Sequence, residues 1–118
     1  MVKNNMAVTS TQSKNPASVV QIAHGSYIDT GTVANTPMVI TTGFRPRYVK
    51  VINTNGSGDV MMEWYEGMTA AYGVKTAIDG VRSMITSLGV TVANDGFTFG
   101  VDTDLNVSSE QLHWQAIG

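Results

Sequence analysis

The sequence predicts an all-β fold: a single-domain antiparallel β-sandwich of jelly-roll-like topology with an extended N-terminal arm. Residues 89–116 alternate apolar with polar or small side chains in three short runs, and turn-forming residues separate the runs. Further β-rich runs recur upstream at roughly regular spacing, as in all-β sandwiches. At 118 residues and 42% hydrophobic, the chain is large enough for one core and too small for two.

The N-terminal part of the chain divides into a polar arm and a first strand. Residues 1–16 are mostly Asn, Thr, Ser, Gln and Lys, which predicts a flexible arm ahead of a sandwich domain spanning 17–118. Apolar side chains within 17–23 predict the first strand. Residues 25–36, with turn formers at Gly31 and Asn35, read as a loop or an irregular strand.

The middle of the chain predicts a β-hairpin. Residues 38–42 are β-rich, and Pro46 then ends the run because proline lacks a donor for the strand ladder. Residues 48–53 and 59–65 both alternate, and Asn55-Gly56 between them is a strong hairpin-turn signal. Val49 and Val51 therefore face one side of the first strand, and Met62 and Trp64 face one side of the second.

The segment 66–80 gives a weaker signal than its neighbours. Three glycines divide it, and glycine disfavours a helix interior, so we expect a long excursion with at most one short helix. Residues 81–87 resume β character, and Leu88-Gly89 is expected to turn into the C-terminal sheet. The inward side chains of that sheet are predicted to be Val90, Val92, Phe97, Phe99, Val101, Leu112, Trp114 and Ala116.

Composition excludes several classes of function. A net charge of −2 with 7 basic residues provides no electrostatic footprint for nucleic acid or an anionic membrane. The chain has no cysteine, no apolar run of the roughly 18 residues that span a bilayer, and no apolar signal-peptide core at its N-terminus. We expect a soluble protein made in a cytoplasm. Only 14% of residues are charged and 7 are Met, which suits a surface that meets another protein.

The strongest chemical motif is the run from Asp102 to Asn106, which reads D-x-D-x-N. It matches the first oxygen ligands of a calcium-binding EF-hand loop, but the sixth position is Val107 instead of Gly and the twelfth is His113 instead of Glu. A looser calcium site is the alternative, and we favour an Asx-type turn in which short polar side chains cap backbone amides. We expect no metal and no cofactor.

The other candidate groups do not assemble into a catalytic pattern. His24 and His113 each lack a partner at ligand spacing, and a strand would place Glu63 and Glu66 on opposite faces. The sequence contains no nucleophile elbow, dinucleotide fingerprint or phosphate-binding loop. We therefore expect a protein that is not an enzyme. Trp64 and Trp114 are interpreted as core or interface residues, with sugar stacking as the alternative.

An ordered series of turn and strand motifs runs through residues 38–118. It resembles small virion structural proteins of tailed bacteriophages, and is most similar to head decoration, or cement, proteins. Phage tail and receptor-binding domains contain some of the same motifs. The motifs are Gly43-Phe44-x-Pro46, Val49-x-Val51, Trp64 to Met68, Lys75-Thr76, Gly80-Val81-Arg82, Gly89-Val90, Gly96-Phe97-Thr98-x-Gly100, Leu105-Asn106 and Leu112-His113-Trp114.

The resemblance implies a non-enzymatic protein that binds the outer head surface, bridges subunits of the major capsid protein and stabilises the shell. It implies a homo-oligomer, dimer or trimer, on a virion assembled in the host cytoplasm, with neither nucleic acid nor membrane as partner. A tail-associated receptor- or carbohydrate-binding module is the alternative. Arg45 and Arg47 belong to the one basic concentration of the chain, which reads as rim contacts, a phosphate- or carboxylate-binding patch or plain solvated charges. The interface candidates are Asn4, Asn5, Met6, Arg45, Arg47 and Met61.

Overall fold

A computed structural model describes residues 20–28, 37–54, 60–107 and 109–118, and these ranges contain eight β-strands and no helix. All strand pairs are antiparallel, and the strands form one sheet in the order β1-β8-β3-β4-β5-β6-β7-β2. The prediction of an all-β antiparallel fold is confirmed. The strands are β1 Ile22–Ile28, β2 Met38–Thr41, β3 Tyr48–Asn53, β4 Val60–Tyr65, β5 Tyr72–Thr76, β6 Arg82–Ala93, β7 Gly96–Phe99 and β8 Gln111–Ile117.

The sheet curls until its two halves face each other across one core. Four strands separate β7 from β8 in the sheet, yet the rings of Phe97 and Trp114 meet edge to face with centroids 5.6 Å apart. Only a strongly curved sheet can bring these strands together. The core comprises Met38, Phe44, Val49, Val51, Val60, Met62, Trp64, Val90, Phe97, Phe99, Leu105, Leu112 and Ala116.

The predicted β3–β4 hairpin forms with the predicted faces. Val49 pairs with Trp64 and Val51 pairs with Met62, and all four side chains are buried. Alternation fixes this register because a slip of either strand by one residue would turn both of its buried side chains outward. The turn residues Asn55 and Gly56 lie outside the described residues.

The C-terminal runs also point inward as predicted. Phe97 and Phe99 of β7 are buried, as are Leu112 and Ala116 of β8, while Trp114 is half-buried against the core. The two strands are not neighbours, because β8 lies between β1 and β3. This last strand of the chain therefore joins β1 to β3 within the single sheet.

The first strand lies later than predicted. β1 begins at Ile22 and ends at Ile28, so part of the expected loop from Gly25 onward is strand. Its inward residues are Ala23, Gly25 and Tyr27, whereas Ile22 is 57% exposed. Val20 and Ile22, two of the apolar side chains that suggested strand 17–23, are exposed and thus do not mark the core side. Residues 1–19 lie outside the described residues, and with them the predicted N-terminal arm.

The segment between Glu66 and Gly89 differs most from expectation. A long excursion with at most one short helix was expected for 66–80, but β5 occupies Tyr72–Thr76 and pairs with both of its neighbours in the sheet. The turn expected at Leu88-Gly89 is an irregularity inside one long strand, β6. Tyr72 pairs with Val90 while Gly73 pairs with Ile85, so residues 86–89 bulge out of the ladder and Leu88 takes a left-handed φ of 63°. No helix in the described part of the chain is long and apolar enough to cross a membrane.

Candidate functional site

The Asp102–Asn106 loop forms the Asx-type turn predicted from the sequence. The Asp102 carboxylate accepts hydrogen bonds from the backbone amides of Asp104 at 2.9 Å and Leu105 at 3.1 Å. The backbone N–H of Asn106 donates to the Asp102 carbonyl, which completes one tight turn. Leu105 at the turn is fully buried, so the loop covers one end of the core.

A lysine from a distant strand lies between the two carboxylates of this loop. The Lys75 ammonium on β5 is 3.0 Å from both carboxylate oxygens of Asp102 and 2.7 Å from that of Asp104. Burial acts to lower the pKa of Lys75, but hydrogen bonds to Asp104 and Asp102 outweigh it and the pKa is raised. The ammonium takes the position that a cation would need between these oxygens. The cluster is an internal ion pair that attaches the loop to the sheet.

Asn53 provides a second attachment for the same loop. Its side-chain amide, 1% exposed at the end of β3, donates to the Asp104 carbonyl at 2.8 Å and to the Glu110 carboxylate at 3.0 Å. Sequence reasoning missed Asn53 and Lys75, because both partners are far away in the chain. These contacts give the motif a role in closing the core.

The surface available to a partner is the side of β1, β8, β3, β4, β5 and the first part of β6, residues 82–85, that points away from the core, here called the outer face. Cross-strand neighbours share a face, so the pairings Lys50 with Glu63 and Glu63 with Val74 follow one row across the sheet. Ile52 and Met61 are paired in the next row. Met84, paired with Val74, is 56% exposed. Four neighbouring strands of this outward face thus each carry one of these apolar side chains, in two adjacent rows that also hold Lys50 and Glu63.

A tyrosine cluster lies on the outer face beside those apolar side chains. The Glu63 carboxylate accepts hydrogen bonds from the hydroxyls of Tyr48 at 2.6 Å and Tyr65 at 3.2 Å, and the two rings are 5.3 Å apart. Burial is the main reason that the pKa of Tyr48 is raised, followed by its hydrogen bond to Glu63 and the charge of that carboxylate. The cluster is a rigid, partly exposed aromatic surface with one carboxylate held in place.

A shallow depression of about 220 Å³ lies between β3 and β8. Lys50 and Ile52 line it on one side, and His113, Trp114 and Gln115 on the other. His113 is exposed at the rim of the depression, as predicted from its position between the inward residues Leu112 and Trp114. The described residues bring no group of three histidine, aspartate or glutamate side chains close enough to hold a metal ion.

The interface candidates named from the sequence lie in separate places. Met61 is half-buried on the outer face. Arg45 is exposed, with its guanidinium 4.0 Å from Glu66, and Arg47 is half-buried where its backbone joins β8 to the residue after β4. The structure thus does not gather these three side chains into one patch. Asn4, Asn5 and Met6 lie outside the described residues.

The aromatic candidates for sugar stacking are divided by burial. Trp64 is 3% exposed and its indole N–H donates to the Thr69 carbonyl at 3.4 Å. Trp114 packs against Phe97, and its ring covers Gly25 so closely that a Cβ there would lie 2.8 Å from it. Tyr65, 48% exposed, is the more accessible aromatic surface.

The chain was compared with models of protein families, with curated proteins and with solved structures, and no match was found in any of the three.

The raised pKa values predict that the protein loses stability in alkali. A group whose folded pKa lies above its unfolded pKa stabilises the fold fully below the unfolded value, and loses that contribution as pH rises through the folded one. For Tyr48 and Lys75 the loss begins at about pH 10, where unfolded tyrosine and lysine start to deprotonate. We expect the urea midpoint of the chain to fall progressively as the pH rises above about 10. Tyr48→Phe should reduce the steepness of this fall, and equal slopes for variant and parent would contradict the assignment to Tyr48.

Proposed function

We propose that the chain is a non-enzymatic structural protein of a tailed-phage virion, a decoration protein that binds the outer surface of the head. The observation that supports this best is the outer face, where Ile52, Met61, Val74 and Met84 place partly exposed apolar side chains on four neighbouring strands beside the tyrosine cluster. Such a broad, mixed surface suits contact with a protein. The order of motifs in residues 38–118 supplies the class of partner.

Decoration by such a protein stabilises a shell through linkage. A protein that binds the assembled head, and not its dissociated subunits, shifts the equilibrium toward assembly by mass action. Binding that bridges two neighbouring major capsid subunits adds the effect of high local concentration. The outer face would supply the contact area, and the exposed Arg45 guanidinium suits acidic side chains of the capsid. Residues 1–16 remain the proposed extension toward a neighbouring subunit.

Binding of the full chain to purified phage heads tests this proposal. Heads that lack the protein should take it up saturably and then resist heating better, and immunogold electron microscopy should place it on the head of intact virions. Met61→Glu should weaken uptake at least tenfold, because it introduces a charge among the apolar side chains of the outer face. Thr91→Glu is the matched control, since Thr91 is exposed on β6 beyond the bulge. The proposal would be overturned if heads did not bind the protein and were equally heat-resistant without it.

The tyrosine cluster favours a second candidate, a carbohydrate-binding module of a tail structure. The half-exposed ring of Tyr65 next to the Glu63 carboxylate provides a stacking surface and a hydrogen-bond acceptor for sugar hydroxyls. Glycan-array binding that Tyr65→Ala abolishes would favour this function over decoration. Saturable head binding without any glycan signal would exclude it.

A further inference from the structure

Strand β1 lies at the edge of the sheet and lacks the features that protect edge strands. Natural edges carry lysines, prolines or bulges that prevent pairing with another chain. The seven residues of β1, IAHGSYI, include neither proline nor a Lys, Arg, Asp or Glu, and pair with β8 in an unbroken register. Among the described residues, no strand pairs with the opposite side of β1.

The hydrogen bonds to β8 determine which backbone groups point to the free side. Gln21 and Gly118 exchange both of their backbone hydrogen bonds, so this is a hydrogen-bonded pair of the antiparallel ladder. Such pairs alternate along a strand, and therefore Ala23, Gly25 and Tyr27 also bond to β8. The amides and carbonyls of Ile22, His24, Ser26 and Ile28 point away from β8, toward the free edge.

The sequence of β1 is nearly symmetric about Gly25. Isoleucine stands at both ends, Ala23 and Tyr27 face inward at equal distances from the centre, and His24 and Ser26 are polar and outward. We propose that β1 pairs antiparallel with β1 of a second copy of this chain, with the two-fold axis at Gly25. Ile22 then lies opposite Ile28 of the second copy, and His24 lies opposite Ser26.

The backbone, the side chains and the charges all agree with this register. It places the free-edge groups of Ile22, His24, Ser26 and Ile28 opposite one another, which allows about eight hydrogen bonds between the copies. Ile22 and Ile28, 57% and 49% exposed, cover each other across the axis. A shift by two residues would set each isoleucine against a polar side chain or beyond the strand. No like charges meet, since β1 carries none of the acidic or strongly basic residues. This inference does not depend on the proposed head-binding function.

Cysteine pairing tests both the association and its register, because the natural chain has no cysteine. His24→Cys and Ser26→Cys are made separately in the full chain at exposed positions. Mixing the two variants under mild oxidation should give a disulfide dimer, since opposed residues of a hydrogen-bonded pair have Cα atoms about 5.5 Å apart. Each variant alone should remain unlinked, because identical residues are diagonal neighbours and lie beyond about 7 Å.

Light scattering over a concentration series provides the second measurement. The unmodified chain should reach twice its 12.6 kDa mass. Ser26→Lys should remain monomeric because it places a charge at the edge, whereas Thr91→Lys should still dimerise. A monomer at every concentration, or open polymers, would overturn the pairing of β1 with itself. A disulfide that forms as readily in one variant alone as in the mixture would overturn the axis at Gly25.

Discussion

Replacing Asp102 by alanine is expected to lower the free energy of unfolding by about 3 kcal/mol or more. The side chain is 6% exposed and accepts from the Lys75 ammonium and from the amides of Asp104 and Leu105. Its removal leaves a largely buried ammonium with one partner, the half-exposed Asp104, and frees two amides of the turn. Urea unfolding followed by tryptophan fluorescence measures the loss.

Two substitutions separate the charge of Asp102 from its role in the turn. Asp102→Asn keeps an oxygen for the amides of the turn and removes the charge, so we expect an intermediate loss of about 1–2 kcal/mol. Asp104→Asn is the matched control, because its carboxylate is 50% exposed and such pairs contribute less than about 1 kcal/mol. Equal effects at Asp102 and Asp104 would show that burial does not determine the strength of this ion pair.

The same loop shows what a local motif can and cannot predict. The Asx turn of Asp102 was predictable because its partners are the next few amides of the chain. The contact with Lys75 was not, since 27 residues separate the two side chains and only the path of β5 brings them together. The motif therefore indicated the correct turn, while its electrostatic partner required the fold.

Strand prediction succeeded where one face is buried and failed where it is not. In β3 and β4 every second residue is buried, and apolar residues occupy most of these positions. The sequence pattern therefore agrees with the packing. In β1 the larger side chains Ile22 and Ile28 are outward, while the inward positions include Ala23 and Gly25. In β5, Gly73 gives room for Met62, whose sulfur would lie 2.7 Å from a Cβ at that position. Periodicity cannot distinguish such a glycine from a strand break.

The outer face could not be located as a surface from the sequence. Met61 was correctly placed on the opposite side of β4 from Met62 and Trp64 by alternation. Its neighbour Val74 comes from the segment 66–80, where no strand was predicted, and its proximity to Met61 and Met84 depends on the β4–β5–β6 order. The Tyr48–Glu63 bond likewise depends on register between paired strands.

Gly89→Ala is expected to destabilise the fold by about 3 kcal/mol or more, because the bulge in β6 brings this residue against the backbone of the preceding loop. A Cβ at position 89 would overlap the Tyr72 carbonyl oxygen and lie 2.8 Å from the carbonyl oxygen of Ala71. The Gly89 amide also donates to that Ala71 carbonyl at 3.0 Å, so neither segment can move away freely. Chemical denaturation of the variant provides the measurement.

Gly80→Ala is the control that separates steric overlap from backbone conformation. Gly80 has a φ of 85° and no atom within 4 Å of its Cβ position, so the substitution should cost only about 1–2 kcal/mol. Leu88 provides the opposite test, since it holds a φ of 63° with 44% of its surface exposed. Leu88→Gly should change stability little or raise it by about 1 kcal/mol, as strain is relieved while some apolar contact is lost. Opposite responses at adjacent residues are the expected signature of the bulge, and a regular strand would lose stability at Leu88 and tolerate alanine at Gly89.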